Sequence, residues 1–474
     1  MGDSQKESRL MLRRGLSLLQ AVSLNMSMMV GIGPFITIPT FVATMGGPHA
    51  MIGWFLGTLI AIADGLVWSE LASAFPGSGG TYHFYDAIYG NSRLGRLLKF
   101  LFVWQFLFSG PLEVATGAIG LAQYVGYLWP VLKGEAFRHV FDLPLIGQID
   151  WRIEYGQLFA IGVMAAITLL AYRRIEAAGR LMVVLWVGML ITVAWVIVAG
   201  LSHFNAALAF DVPGGAWTLD SRFATGLGAA LGIAMYDFLG YYQICYLGDE
   251  VTDPERTIPR SILISVAVIA VVYLTMNVSI LGVLPWEVVA ASQHVASDFM
   301  FHLHGPGAAS AITAMIIWTA LASTFAALLG YSRVPFAAAK SGHFFNALAK
   351  THPTGDFPHR SLLLISGLAM VACLADLGTV IAALLTSRIL IQFVGQIATV
   401  GYLRTVPALS ERLMFRMPWF PVPALIALAG WLYAFGTSGI RTLAYGVLTM
   451  VVGLVVFQVW DRRESKPYAA DLLD

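Results

Sequence analysis

The sequence predicts an all-α integral membrane protein, and three observations predict it. Charged residues make up 12% of the 474 positions and hydrophobic residues 58%, whereas a water-soluble domain carries about 25% charged residues to keep its surface wet. Apolar stretches on the scale of the roughly 20 residues that a spanning helix needs recur along the chain. Lysine and arginine fall unequally on alternate connections between those stretches. A mean hydropathy of +0.74 agrees with a bilayer as solvent.

Twelve segments carry this pattern: 16–43, 50–74, 96–129, 155–172, 179–201, 223–247, 261–284, 307–337, 361–376, 378–403, 421–437 and 441–460. The first follows a basic flank and runs on through glycines and prolines with no small-residue cleavage site, so it is a spanning helix, not a removable signal. The third and eighth exceed the hydrocarbon thickness and must tilt or protrude. The first and sixth are interrupted near their centres. The tails are too short for a further soluble domain, so 1–474 reads as one membrane domain. Cys245 and Cys373 lie in apolar runs without metal-ligand spacing and read as small core residues.

With the N-terminus in the cytoplasm, 22 of the 28 lysines and arginines fall on the cytoplasmic side, 5 on the other, and Arg388 within a helix. That bias supports an even number of spans with both termini cytoplasmic, in the plasma (inner) membrane. The net charge of +1 and the absence of a basic cluster argue against nucleic acid as a partner.

The two interruptions are the sharpest functional signal. Gly31, Gly33 and Pro34 sit mid-span in SLNMSMMVGIGPFITIPTF, where glycine costs about 1 and proline about 3 kcal/mol relative to alanine. Asp237 and Gly240 sit mid-span in GLGAALGIAMYDFLGYYQICYLG. Non-helical backbone at membrane depth survives only where it is buried in protein or lines a cavity. Breaks at matching places in two halves point to a transporter site. Half-helix N-termini attract anions such as a carboxylate, so a zwitterionic amino acid suits the pair. A merely kinked packing helix is the plainer reading of either break alone.

Four stretches together resemble the amino acid–polyamine–organocation superfamily of transporters. GIGPF at Gly31–Phe35 is similar to the family's GSGIF, and SELASAFPGSGGTYHFYDAIYG at Ser69–Gly90 to its helix-two exit motif. GDEVTDPERTIPRS at Gly248–Ser261 resembles the E-x-x-N-P-x-R-x-I-P loop, and YSRVPFAAAKSGHFFNALAKTH at Tyr331–His352 the end of helix eight. The resemblance implies a leucine-transporter-type fold of twelve transmembrane helices. Its two inverted repeats of five would be 16–201 and 223–403, with two peripheral helices over 421–460. It also implies alternating access around a central site. Gly31, Ile32 and Gly33 would face the substrate carboxylate, and Tyr236, Phe238 and Gly240 would cradle the amino group and side chain. Tyr236 reads as an aromatic lid over a cation or as a packing residue.

Departures from the family pattern bear on the substrate. Ile32 replaces a frequent serine and Pro34 removes an amide donor. SGPLE at Ser109–Glu113 resembles the polyamine-transporting branch, which makes a polyamine or cationic amine the alternative cargo. The lysine common in helix five of proton-coupled members is missing, with Met189 at about its place. Coupling through another group, uncoupled exchange, and a sodium site at Ser323 and Thr324 stay open. Hydroxyls at such positions also bond back to their own helix.

Asp64, Glu113, Asp237 and Arg388 fall mid-span, where a charge costs about 2.5–3.5 kcal/mol on insertion scales. Asp237 reads as a cation-binding or proton-carrying carboxylate, or as the fixed partner of Arg388. Glu113 reads as a substrate contact or a structural pair, Asp64 as a helix–helix contact, and Glu70 and Glu250 as structural parts of the motifs. His294, His302 and His304 read as an outer loop cluster in solvent. Neither metal nor cofactor is expected. The chain lacks enzyme motifs, a repeated pore filter, and the signalling tail that a membrane nutrient sensor would need, so a transporter is the reading that stands.

Overall fold

The computed structural model describes residues 14–143, 147–173 and 175–464. Lys6, Arg9, Arg13, Arg174 and Lys466, used above for orientation, lie outside the described residues. Each of the twelve apolar segments contains helix. Helix α1 (Leu18–Met29) starts at a capping box in which Ser17 and Gln20 satisfy each other's backbone donors. Its continuation α2 (Gly33–Met45) carries Pro34 in its first turn, where a missing N–H breaks no hydrogen bond. The two pieces are bent by 42° across residues 30–32.

The chain then forms α3 (Met51–Ala74), the short α4 (Thr81–Tyr89) and α5 (Arg93–Leu128). The 36 residues of α5 rise about 54 Å at 1.5 Å each, more than the hydrocarbon core spans. Next come α6 (Tyr155–Ala171), α7 (Ile175–Ser202) and α8 (Ser221–Phe238). The expected sixth segment ends as helix at Phe238; Leu239–Tyr242 is irregular and a single 3-10 turn follows at Gln243–Tyr246. The second half continues with α9 (Pro254–Leu281), α10 (Val295–Tyr331), α11 (Arg333–Lys340), α12 (His359–Ala372) and α13 (Leu377–Arg388). A π-helical turn at Ile389–Val394 joins α13 to α14 (Gly395–Thr405), and α15 (Val422–Gly436) and α16 (Ile440–Glu464) complete the chain.

Among the described residues, seven single helices are long and apolar enough to cross a membrane, eight with the bent pair α1–α2. The protein is therefore a multi-pass helical membrane protein. Helices α6, α12 and α15 are apolar but have 17, 14 and 15 residues. The eighth segment starts near 307 as expected, because Gly305, with φ 79° and ψ −171°, is non-helical and parts α10 into two helical pieces at Gly305–Pro306. One expectation needs correction. The chain contains a β-hairpin, strands β1 (Glu135–Leu143) and β2 (Gly147–Glu154), in what read as a plain connection. Its register pairs Phe137 with Ile153 and Phe141 with Ile149, the alternation a strand uses.

Packing follows small residues. A Cβ on Gly53 or Gly57 would meet the Ala230 or Ala234 side chain at 2.8 Å, so one face of α3 lies tight on α8. At the end of the bundle where α1 begins, motif side chains lock the loops. Glu70 takes two hydrogen bonds from Arg404 at 2.6 and 2.7 Å and one from the Met417 N–H at 2.7 Å. Arg333 holds Glu250 at 2.9 and 3.3 Å, with both side chains buried. The expectation that these glutamates are structural agrees with those contacts.

Candidate functional site

The break in α1–α2 and the end of α8 meet at the centre of the bundle. Tyr273 of α9 ties them together: its hydroxyl lies 2.5 Å from the Met29 carbonyl and 3.0 Å from the Asp237 carbonyl. Both carbonyls belong to helix ends that lack the next turn's N–H groups, and one buried hydroxyl proton is shared between them. Tyr124 of α5 donates to the Phe35 carbonyl at 2.9 Å, and Asn25 accepts from the Ile244 N–H at 2.9 Å. Irregular backbone at this depth is thus held by side chains of neighbouring helices.

A cavity of about 30 Å³ lies between the breaks. That exceeds the roughly 10–15 Å³ that a single water needs. Of the residues expected from sequence, Gly31, Ile32, Gly33, Glu113, Tyr236, Asp237, Ser323 and Thr324 all line it. Phe238 and Gly240 do not. Phe238 is fully buried against Trp54 and Tyr273, with ring centroids 5.9 and 5.4 Å away. Gly240 has φ 110° and lies against Met28, where a Cβ would come within 2.3 Å of that side chain. It permits the turn out of α8 without lining the cavity.

The glycines of the first break are needed for closeness. A Cβ on Gly31 would meet Ser323 at 2.6 Å, and one on Gly33 would meet the Asp237 Oδ1 at 2.5 Å. The first N–H groups of α2 lie at the positive end of its dipole, beside this cavity, and that of Phe35 donates to the Ile32 carbonyl at 3.0 Å. Pro34 removes one donor from that set, and Gly33 keeps its own.

Charge at the site divides into a paired and an unpaired carboxylate. Arg388 is fully buried and forms an ion pair with Glu113, not with Asp237. It also donates to Ser109 at 3.0 Å, Tyr331 at 3.2 Å and Tyr242 at 3.3 Å, while Tyr331 donates to Glu113. Asp237 is buried too, but only its Oδ2 has a partner, the Thr37 hydroxyl at 2.5 Å. Its Oδ1 has no hydrogen-bond partner among the described residues. Asp64 accepts from Tyr241 and serves a contact between α3 and the segment after α8, as its sequence reading held. Ser323 and Thr324 donate back to the Ala320 carbonyl at 3.0 and 2.8 Å.

Sequence reasoning missed Thr37, Tyr273, Thr116 and Gly117. Thr37 stands four residues after Gly33, so helical spacing alone places it one turn from the break; the others require the neighbouring helices. The three outer histidines do not converge. His294 precedes α10 with its Nε2 3.2 Å from the Gln123 carbonyl, and burial pushes its pKa below the ordinary value, whereas His304 packs on His203. Among the described residues no group of histidines, cysteines or carboxylates could hold a metal ion.

A vestibule of about 970 Å³ approaches the cavity from the end opposite the Glu70 and Glu250 pairs. Ile36 and Ile119 line it, each three residues beyond a cavity residue, Gly33 and Thr116. Its outer wall carries Lys133, Arg152, Glu154, His294 and Asp376. The two spaces share no lining residue, and the inner one lies between the two broken helices.

Residues 16–458 match the family described as "Amino acid permease". The serine/threonine exchanger SteT of Bacillus subtilis is 25% identical, over 95% of this chain and 96% of its own. The branched-chain amino acid permease BcaP of the same organism is 25% identical, over 96% and 94%. An uncharacterized transporter of Mycobacterium tuberculosis is 28% identical, over 77% and 74%.

Proposed function

The chain belongs to the amino acid permease family, and from that premise we propose that it carries amino acids across the membrane by alternating access at the pocket between the two breaks. It is a transporter and not an enzyme. The observation that carries the reading is the juxtaposition of two opposite charges' worth of binding groups within one cavity. The Gly33 N–H at the start of α2 would receive a carboxylate, and the unpartnered Asp237 Oδ1 an ammonium. An α-amino acid carries both groups on one carbon.

Twelve spans in a leucine-transporter-type arrangement suit this chemistry, with repeats over 16–201 and 223–403 and peripheral helices over 421–460. What supports it is that both breaks head five-helix halves and meet at one point. Gly31, Ile32 and Gly33 line the carboxylate side, Tyr236 closes over the ammonium, and Phe238 and Gly240 shape the break from behind. The vestibule then opens to the outside and both termini lie in the cytoplasm of the plasma (inner) membrane, supported by the lysine and arginine bias.

The polyamine alternative loses ground because of Arg388. It neutralises Glu113, so one unpaired carboxylate is left in the cavity where a diamine needs two. Thermal unfolding of the detergent-purified protein against amino acids, diamines and polyamines tests the choice. A ligand that binds only the folded state adds about 2.7 kcal/mol at a hundredfold excess over Kd. Stabilisation by amino acids and not by diamines is expected; stabilisation by diamines alone would overturn the proposal.

A further inference from the structure

We infer that Asp237 exchanges a proton for the substrate's ammonium, which makes the protein a proton–amino acid antiporter. The inference rests on the amino acid reading above and adds the coupling to it.

Asp237 is 2% exposed, and no cation lies within ion-pair distance of it among the described residues. Each element packed around it presents polar or charged groups. Helix α2 offers the Thr37 hydroxyl, α9 the Tyr273 hydroxyl, which points to the Asp237 main-chain carbonyl, and α8 itself the neighbouring Tyr236. Helix α5 offers Glu113, α10 offers Tyr331, and α13 offers Arg388, and these three are engaged with one another. Asp64 on α3 is engaged with Tyr241. None of these supplies a positive charge to Asp237.

A buried carboxylate with one hydroxyl donor and one unpaired oxygen does not stay ionised alone; it takes up a proton. When an amino acid enters, its ammonium is a cation of the right charge beside Oδ1. The exchange balances as a neutral carboxylic acid plus a bound zwitterion giving a carboxylate–ammonium pair and one proton released to solvent. No covalent bond other than the O–H bond breaks. The unloaded acid is neutral, whereas the loaded site keeps one net negative charge, that of the substrate's own carboxylate resting on the N-terminus of α2; neither form leaves a buried charge without a partner, and both reorient. One proton crosses with the unloaded form as one amino acid crosses with the loaded form, in opposite directions.

The direction of coupling follows. An acidic compartment protonates the unloaded site on its own side, and the proton is released opposite, where substrate displaces it. Substrate is therefore driven toward the acidic side.

Proteoliposomes containing the full chain, with labelled L-alanine, L-serine and L-leucine as probes, test this. With an imposed pH gradient, accumulation on the acidic side is expected. Accumulation on the alkaline side, or exchange indifferent to the gradient, would overturn the antiport while leaving amino acid transport standing. Failure of all three to bind or move would remove the transport reading and this one with it. Calorimetry on the unaltered protein, in buffers of differing ionisation heat, should count close to one proton released per ligand bound. Below the release midpoint Kd should rise about tenfold per pH unit, as for two ligands sharing one site; a flat profile overturns it. Asp237→Asn should abolish proton release. If that variant fails to fold, Thr37→Val serves: loss of the donor to Oδ2 should extend proton release to higher pH, and an unmoved profile would count against the inference.

Discussion

Exchanging Arg388 for Met leaves the Glu113 carboxylate buried with only the Tyr331 hydroxyl to stabilise it. In the native protein both partners are essentially inaccessible, and the guanidinium also reaches Ser109 and Tyr242. Removing one member of such a pair costs about 3–5 kcal/mol, because the remaining charge keeps its desolvation penalty and loses its compensation. Exchanging Glu113 for Gln strands the cation in the same way. The double variant E113Q/R388M removes both charges. It forfeits three hydrogen bonds, to Ser109, Tyr331 and Tyr242, worth about 0.5–1.5 kcal/mol each. Expected stabilities therefore run with both single variants well below the double, which approaches the native protein. Equilibrium unfolding in mixed detergent micelles, read by fluorescence, gives the four corners of the cycle. A double variant as unstable as the sum of the singles would refute the coupled pair. So would a single R388M variant within about 1 kcal/mol of native stability.

Two further outcomes follow from the breaks. Gly33→Ala places a methyl group on the Asp237 Oδ1 and Gly31→Ala one on Ser323, overpacking that costs about 1–3 kcal/mol. Both variants should lose the thermal shift given by amino acids, and a retained shift would place the substrate elsewhere. Tyr273→Phe leaves the Met29 and Asp237 carbonyls without their shared donor, a loss of about 1–3 kcal/mol for buried acceptors, seen as a lower unfolding midpoint. An unchanged midpoint would mean that the breaks hold themselves.

Much of the site was legible because its residues violate local rules. Glycines and a proline at mid-span, and an aspartate in an apolar run, cost free energy that only a tertiary role offsets, so Gly31, Gly33 and Asp237 stand out without any partner in view. Phe238 and Gly240 entered the expected site through the family resemblance. Packing turned them away from the cavity, since α8 ends at Phe238 and residues after it no longer share its face. The hairpin was missed because it lies between two strong hydropathy signals, although Ile149, Trp151 and Ile153 alternate as a strand does.

The sequence by itself determined the solvent of this protein, the places where its helices occur and the points where two of them break. Those are properties of transfer free energy and backbone propensity, which act residue by residue. Only the tertiary structure decided which buried charges find each other. Arg388 has two acidic candidates more than a hundred residues away, and it pairs with Glu113 because α13 packs along α5. Asp237 is thereby left as the unpaired carboxylate. A Coulomb term depends on distance in space, and distance along the chain carries no information about it.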